Sequence, residues 1–149
     1  MDYRSAAERD IPALCRIRKR QLADEGIEPA ENIDEELHRY FAQKLSDGSL
    51  VELLAEDGGR IVATAAVAFM AFPPTYTNLT GVKGYITNMY TDPAYRGRGI
   101  ASTLLRMLTD EAKKRGVTHL WLKASVHGKP VCERFGFKGS ERYMELDLD

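Results

Sequence analysis

The stretch from residue 83 to residue 124 constrains the fold more than any other part of the chain. It begins with KGYITNMYT, a strand-like run rich in aromatic and β-branched residues that ends at Asp92-Pro93. A turn with two arginines and two glycines follows, then an amphipathic run from Gly99 to Arg115, and then a second strand-like run, HLWLKA (His119–Ala124). A strand, a helix and a strand in this order predict two parallel strands joined by a helical crossover.

Two helices and three strands are predicted before this unit. Asp10 is a candidate N-cap for a helix that extends towards Asp24, and Asn32 with Glu35 resembles the capping box of a second helix. Between two later strand-like runs, Asp57-Gly58-Gly59 supplies the positive backbone dihedral angles that a tight hairpin needs. The predicted strands of this half are Tyr3–Ala6, Ser49–Glu56 and Arg60–Met70.

After the parallel unit, the sequence predicts a short helix that ends near Phe135 and a final strand from Tyr143 to Leu148. Apolar and acidic residues alternate in that strand: Met144, Leu146 and Leu148 with Glu145, Asp147 and Asp149. With 149 residues and neither a linker nor a repeat, the chain is expected to form one domain, residues 1–149, of mixed α/β (α+β) class.

The composition limits the classes of partner. Basic and acidic residues nearly cancel, 21 against 22, so the net charge does not favour nucleic acid or an anionic membrane. The longest apolar stretch, Ile61–Phe72, is too short to span a bilayer, and the N-terminal MDYRSAAERD lacks the apolar segment of a secretory signal. A cytoplasmic protein is therefore expected. Cys15 and Cys132 have no companion ligands at metal-binding spacing, so neither a metal site nor a disulfide is predicted.

The turn Arg96-Gly97-Arg98-Gly99 has the chemistry of an anion site. The first turn of a helix carries unpaired N–H groups and the positive end of the helix dipole, and the two glycines leave that backbone accessible. The two arginines add charge for phosphate oxygens. The turn matches neither G-x-G-x-x-G nor G-x-x-x-x-G-K-[ST], so neither a dinucleotide fold nor a P-loop is predicted. From these residues alone, a diphosphate site and a plain helix-capping turn are equal alternatives, and a nucleic-acid patch is a weak third.

The segment TDPAYRGRGIASTLL resembles the acetyl-CoA signature of the GNAT family of N-acetyltransferases, [QR]-x-x-G-x-[GA], to which Arg96, Gly99 and Ala101 correspond. The later run CERFGF is similar to that family's second motif, usually Tyr-Glu-Lys-Leu-Gly-Phe. Both motifs occur in the family's order and on the expected elements, so the resemblance covers nearly the whole chain. It implies a mostly antiparallel sheet with a central pair of parallel strands, flanked by helices.

The resemblance also implies a site for acetyl-CoA between the two parallel strands, where the pantetheine arm lies like an added strand. Main-chain groups of Met89, Tyr90 and Thr91 would bind that arm, and an N–H there would polarise the thioester carbonyl. Ser125 stands where family members often have an asparagine that contacts the pantetheine. The diphosphate would bind to Arg96, Gly97, Arg98, Gly99, Ile100, Ala101 and Ser102.

The catalytic residues are where this sequence departs from the family. Cys132 stands where the family often has a tyrosine whose hydroxyl protonates the departing CoA thiolate. A thiol, with an ordinary pKa of about 8.5, can donate that proton, but a free cysteine is also commonly a small buried hydrophobic residue, and both interpretations stay open. The strand before the turn contains no carboxylate or histidine, and His127 is a lone loop histidine, so the general base is not identified.

These patterns predict an N-acetyltransferase that moves an acetyl group directly from acetyl-CoA to an acceptor amine; a non-catalytic acyl-CoA-binding module is the alternative. A small-molecule amine is expected rather than a protein lysine, because no charged groove suited to a peptide tail is evident. Acceptor recognition is expected from residues 25–45 and from loop 72–83, with Phe72, Tyr76 and Tyr85 as candidate pocket residues. No nucleic-acid or membrane partner is expected, and a homodimer is compatible with the sequence.

Overall fold

The computed structural model of the protein describes residues 1–148, whose centre is a five-stranded sheet. The strands lie in chain order across the sheet: β1 (Asp2–Ser5), β2 (Leu50–Asp57), β3 (Arg60–Ala71), β4 (Val82–Thr91) and β5 (Leu120–Leu122). Neighbours from β1 to β4 are antiparallel, whereas β4 and β5 are parallel. The mixed α/β class and the parallel pair predicted from the sequence are confirmed.

Within residues 1–148, four α-helices cover the two faces of the sheet: α1 (Ile11–Asp24), α2 (Asp34–Asp47), α3 (Ile100–Lys114) and α4 (Lys129–Phe135). Successive residues of a strand point to opposite faces, so β2 and β3 contribute to a core on each side. The core under α3 is built from Leu104, Leu105 and Leu108 against Ala63, Ala65 and Val67. The core under α1 and α2 is built from Ile11, Leu14 and Phe41 against Leu50, Leu54 and Ala66.

Asp10 is the N-cap residue of α1, as the sequence predicts, but its side chain makes no hydrogen bond to the start of that helix. The Asp10 N–H donates to the Ala7 carbonyl at 2.9 Å and closes a 3-10 turn at Glu8–Asp10. The Asp10 carboxylate accepts a hydrogen bond from the Ala7 N–H at 2.7 Å, which leaves α1 without a side-chain cap. Two Arg4 nitrogens bind the same carboxylate at 2.7 and 2.8 Å. These hydrogen bonds hold the pKa of Asp10 below its ordinary value and join β1 to the start of α1.

The predicted capping box of α2 does not form. Asn32 Oδ1 accepts a hydrogen bond from the Asp34 N–H at 2.9 Å, two residues along the chain. Glu35 pairs instead with Arg39, one turn later, at 3.0 Å. The asparagine therefore closes a local turn before the helix, and the reciprocal pair is absent because the glutamate has a partner on the helix surface.

The predicted C-terminal strand is wrong, because the segment from Tyr143 to Leu148 forms no strand. Tyr143 stacks on the Trp121 ring with centroids 5.8 Å apart, and Glu145 pairs with Lys123 at 3.0 Å, yet no backbone ladder joins the segment to β5. Alternation is not sufficient for a strand, which also needs a neighbouring backbone to bond. Asp149 lies outside the described residues. The apolar residues of the alternation are 94, 84 and 86 % exposed at Met144, Leu146 and Leu148.

Candidate functional site

A cleft opens where β4 and β5 separate. The two strands pair at Gly84–Leu120, Tyr85–Trp121 and Ile86–Leu122, and β4 then continues to Thr91 paired with β3 but not with β5. A Cβ at Gly84 would lie 2.6 Å from a Leu120 methyl group, so a larger residue there would have to displace the side chains packed over it. Beyond Ile86 the strands diverge around a cavity of about 800 Å³, a volume suited to a small-molecule ligand.

The middle of β4 carries a β-bulge beside this cleft. The β3–β4 register shifts between Thr64 and Ala66, so that two β4 residues, Asn88 and Met89, lie opposite one β3 residue. Asn88 has a φ of 53° and is the one non-glycine residue within 1–148 in the left-handed region. Its carbonyl oxygen accepts a hydrogen bond from Thr64 Oγ1 at 2.8 Å, which fixes the bulge. A bulge interrupts the ladder and leaves main-chain groups for other partners.

The predicted anion-binding turn lies at the far end of β4 and leads into α3. Gly97 and Gly99 have φ values of 77° and 78°, and Gly99 is the N-cap of α3. The N–H of Thr103 is the first to bond back into the helix, to the Gly99 carbonyl, which leaves the N–H groups of residues 100–102 without helical partners. No protein atom lies within 4 Å of a Cβ built at either glycine. The turn is therefore an open site at the positive end of a helix.

The two arginines of the turn have different positions. Arg96 lines the cleft; its Nε donates to the Thr91 carbonyl at 3.2 Å, and its guanidinium lies 3.9 Å from the Asp24 carboxylate. Arg98 does not line the cleft, and its guanidinium lies over the Tyr95 ring, 4.9 Å from the centroid. Of the pair, Arg96 is the one placed to meet a phosphate inside the cleft.

Most residues predicted to bind the cofactor come together around this one cleft. They belong to the bulged strand, to the turn and first turn of α3, and to the segment between β5 and α4. Their roles stay predictions. Arg98 is the one of these predicted residues that does not line the cleft. Those that line the cleft are Met89, Tyr90, Thr91, Arg96, Gly97, Gly99, Ile100, Ala101, Ser102 and Ser125. The candidate proton donor, Cys132, lines the same cleft.

Cys132 and Ser125 form the wall of the cleft opposite the bulged strand. Cys132 lies on α4 and is 3 % exposed, and burial raises the pKa of its thiol, which therefore stays protonated at neutral pH. Ser125 Oγ accepts a hydrogen bond from the Gly128 N–H at 3.0 Å, so its own hydroxyl proton is free to bind another acceptor.

The aromatic residues predicted to line an acceptor pocket do not lie together. Tyr85 lines the cleft, but Phe72 and Tyr76 do not. Tyr76 is fully exposed and Phe72 is 40 % exposed in the loop between β3 and β4. The prediction fails for these two because the loop leads into the start of β4, whereas the cleft opens beyond Ile86, towards the other end of that strand. Instead, α1 lines a further side of the cleft, through Arg18, Gln21, Leu22 and Asp24.

A buried carboxylate beneath the bulge was not identified from the sequence. Glu52 lies in β2, is 2 % exposed, and accepts a hydrogen bond from Asn88 Nδ2 at 3.4 Å. Burial raises its pKa to about 8, against the partial opposing effects of Asn88 and of the positive charge of Arg18. The signal in the sequence is a single glutamate in the apolar run LVELLA, on the same face as Leu50 and Leu54.

The described residues contain no group of three or more His, Cys, Asp or Glu side chains placed to hold a metal ion. Within residues 1–148, no helix combines the length and apolar composition needed to cross a bilayer.

The comparison with known families and structures agrees with this architecture. The sequence profile of the acetyltransferase (GNAT) family matches residues 12–137. A crystal structure of a predicted acetyltransferase from Clostridium acetobutylicum, with acetyl-CoA, is 54 % identical in sequence and superposes with a TM-score of 0.95. That alignment covers 99 % of this chain and 96 % of the clostridial one.

Two curated relatives carry more specific names. The glucosamine 6-phosphate N-acetyltransferase of Trypanosoma brucei brucei is 33 % identical over 90 residues, which are 60 % of this chain and 59 % of that protein. The streptothricin acetyltransferase of Streptomyces lavendulae is 28 % identical over 137 residues, 88 % of this chain and 62 % of that protein. The chain thus spans 59 % and 62 % of the length of these relatives.

Proposed function

Because this chain belongs to the GNAT family of acetyltransferases, we propose that it transfers an acetyl group directly from acetyl-CoA to the amine of a small molecule. The observation that carries this proposal is the cleft that runs from the β4 bulge to the open N-terminus of α3. The relatives named for glucosamine 6-phosphate and for streptothricin support a small-molecule acceptor.

The start of α3 fits the diphosphate of acetyl-CoA. It offers the unpaired N–H groups of Ile100, Ala101 and Ser102, the open backbone of Gly97 and Gly99, and the adjacent cation of Arg96. Backbone donors and a guanidinium are the groups that bind phosphate oxygens at helix N-termini. In this proposal Arg98 contributes charge at the rim, from its position over Tyr95.

The bulged strand fits the pantetheine arm. Beyond Ile86, the β5-facing side of β4 has no strand partner, so main-chain groups of residues 89–91 are available to a ligand that lies along it. The Tyr90 hydroxyl is buried and has no hydrogen-bond partner among the described residues, which suits a ligand with its own polar groups. Ser125 donates to the arm from the other wall.

The chemistry needs one proton to be returned to the CoA sulfur. The neutral amine attacks the thioester carbonyl of acetyl-CoA, the C–N bond forms and the C–S bond breaks. The amine nitrogen releases one proton to water, the CoA thiolate takes one from the protein, and the protein donor is restored from water. Cys132 holds a proton on Sγ at neutral pH, because burial raises its pKa, and it lies in the wall of the cleft. We assign to Cys132 the role of proton donor that a tyrosine has elsewhere in the family.

The test is an assay of thiol release from acetyl-CoA across a panel of small-molecule amines, with each product identified by its mass increase. The expected result is CoA release that depends on an amine, together with the acetylated amine. Thermal stabilisation by acetyl-CoA without release for any amine would favour a non-catalytic acyl-CoA-binding module. If acetyl-CoA did not stabilise the protein, both the acetyltransferase hypothesis and the binding-module hypothesis would be contradicted.

A further inference from the structure

Three polar residues on three adjacent strands are buried together beneath the β4 bulge, and we call them the bulge cluster. They are Glu52 on β2, Thr64 on β3 and Asn88 on β4, with exposures of 2, 2 and 6 %. Thr64 Oγ1 binds the Asn88 carbonyl, and Asn88 Nδ2 binds Glu52. The cluster is therefore a continuous polar path from the side of the sheet covered by α1 and α2 to the wall of the cleft.

Glu52 lacks a cationic partner. Among residues 1–148, no lysine, arginine or histidine nitrogen lies within 4.0 Å of its carboxylate. Its hydrogen bond from Asn88, at 3.4 Å, is a long one. By contrast, the buried Asp10 is bound by two nitrogens of Arg4. Because an unpaired buried charge is unfavourable, the Glu52 carboxyl is mostly protonated at neutral pH in the free protein, and a cation bound in the adjacent cleft would favour its ionised form. A buried carboxyl poised in this way beside a cleft indicates a functional role.

Two groups on the helices packed against the sheet, Arg18 and Tyr40, interact electrostatically with Glu52. Arg18, from α1, lines the cleft and lowers the pKa of Glu52, but its Nη1 donates to Gln21 Oε1 at 3.0 Å. Tyr40, from α2, has a raised pKa because of burial first and the negative charge of Glu52 second. Neither group neutralises the carboxylate by direct contact among the described residues.

Asn88 connects this carboxylate to the cleft. Its Nδ2 is turned towards Glu52, and its main-chain oxygen is held by Thr64, so the side chain is fixed at both ends. Oδ1 receives no hydrogen bond from the residues that the structure describes, and the residue lines the cleft. A carbonyl oxygen held in this way is an acceptor for an N–H group.

We propose that Glu52 is a positioning residue for the acceptor amine, which it orients through Asn88: the carboxylate holds the amide so that Oδ1 accepts a hydrogen bond from the amine, and its charge selects a cationic ammonium group. This inference rests on the proposed function and narrows the acceptor to an aliphatic primary amine that is protonated at neutral pH. Because attack requires the neutral amine, the charge assists binding rather than the chemical step. Its loss should therefore act on KM for the acceptor more than on kcat.

The test compares Glu52→Gln with the wild-type protein, using n-butylamine, cadaverine and glucosamine as cationic acceptors and aniline as a neutral one. Loss of one charge-assisted interaction corresponds to roughly a tenfold or larger rise in KM for the cationic acceptors. The KM for aniline and for acetyl-CoA should not change. Asn88→Gly, which removes the amide and accepts the positive φ, should reproduce the effect.

The matched control is Glu56→Gln, which removes a carboxylate from the same strand. Glu56 pairs with Arg4 and does not line the cleft, so its removal should leave all acceptor constants unchanged. The pH profile adds a readout that a purely structural role would not move. In the wild type, kcat/KM for cationic amines should rise with the ionisation of a group of pKa about 8, and this limb should disappear in Glu52→Gln.

The outcomes separate this inference from the proposed function. Wild-type KM values in a folded Glu52→Gln variant, or an equal loss of acetyl-CoA affinity, would overturn the role of Glu52. If the wild type acetylates no amine, the proposed function fails, and the inference is then decided by ¹³C NMR of the Glu52 carboxylate. A fall in its pKa on addition of n-butylamine supports the ammonium site, and an unchanged pKa contradicts it.

Discussion

Among single residues, Glu52 should dominate the pH dependence of stability near neutrality. Its pKa is raised from 4.5 to about 8 in the folded protein, so the folded state binds this proton more tightly than the unfolded state. The stabilisation from protonated Glu52 is complete below about pH 4.5 and is lost as the pH rises through about 8. Each pKa unit corresponds to about 1.4 kcal/mol, so ionisation costs a few kcal/mol of stability.

Glu52→Gln cannot ionise, and we expect it to be more stable than the wild type at pH 9 by a few kcal/mol. The difference should shrink steadily towards pH 5, as the wild-type carboxyl becomes protonated. Urea unfolding of both proteins across this pH range measures it. A difference that does not vary with pH would mean that Glu52 titrates in the same way in the folded and unfolded states.

Cys132→Ala tests the proton donor. We expect kcat to fall by roughly a hundredfold, the lower end of the usual effect of a general acid, with little change in KM for acetyl-CoA. The reason is that the thiolate then has to take its proton from water. Steady-state kinetics of purified protein measure the effect.

The matched control for Cys132→Ala is Cys15→Ala. Cys15 is also buried, at 9 % exposure, but packs in the core under α1 and α2 and does not line the cleft. Both substitutions leave a small cavity and should cost about 1 kcal/mol of stability. Unchanged kcat in Cys132→Ala would show that this thiol serves packing alone.

At the scale of elements, the N-terminus of α3 should control cofactor affinity. Gly99→Ala places a side chain at a φ of 78° and adds a methyl group to the open space where the diphosphate is proposed to bind. We expect its Kd for acetyl-CoA to rise by roughly tenfold or more, from blocked backbone access and strain of about 1–2 kcal/mol. Isothermal titration calorimetry measures the change.

Gly116→Ala at the other end of the same helix separates strain from access. Gly116 has a φ of 74° and equally open surroundings, so alanine there carries the same backbone strain. It does not line the cleft, and its Kd for acetyl-CoA should equal that of the wild type. A similar loss of affinity in both variants would indicate that the glycines act only through helix stability.

The elements themselves were largely predictable because their signals are local. The amphipathic stripe of α3, the Gly58-Gly59 hairpin and the parallel strand pair each follow from a short pattern, and each is confirmed. The C-terminal strand failed because pairing is a tertiary property: residues 143–148 have the right alternation but no backbone partner. The helix caps failed for a related reason, since Arg4 and Arg39 bind the carboxylates that the sequence assigned to capping.

The site was predictable where one continuous segment forms it. The turn and the first residues of α3 lie together in the sequence, so their common position in the cleft could be expected. Glu52 could not be placed in the same way, because it reaches the bulge only through the pairing of β2, β3 and β4. The difference between Arg96 and Arg98 likewise depends on where the Tyr95 ring lies.

For the whole molecule, the exposed C-terminal segment should contribute little to the stability of an isolated chain. Leu146→Lys combined with Leu148→Lys should change the free energy of unfolding by no more than about 0.5 kcal/mol, because both side chains are more than four-fifths exposed. Urea unfolding at low protein concentration measures this. Leu79→Lys, at a similarly exposed loop residue of 81 % exposure, is the control.

A loss well above that of Leu79→Lys would show that another surface covers the segment. If the loss grows with protein concentration, and the wild type elutes as a dimer where the variant does not, the covering surface belongs to a second copy of the chain. Such a result would establish the homodimer that the sequence permits. A loss of stability that does not depend on protein concentration would mean that the covering surface belongs to the same chain.

The separation of β4 and β5 should also affect the lifetime of the folded protein. Beyond Ile86, the side of β4 that faces β5 has no partner strand. The amide hydrogens that point to this side should exchange readily with solvent in the free protein. A ligand that lies along this edge closes it and stabilises the folded chain by mass action, by about 2.7 kcal/mol at a concentration 100 times its Kd. Unfolding and proteolysis of the protein in the cell should therefore slow when acetyl-CoA is plentiful, so that its abundance follows the supply of its proposed acetyl donor.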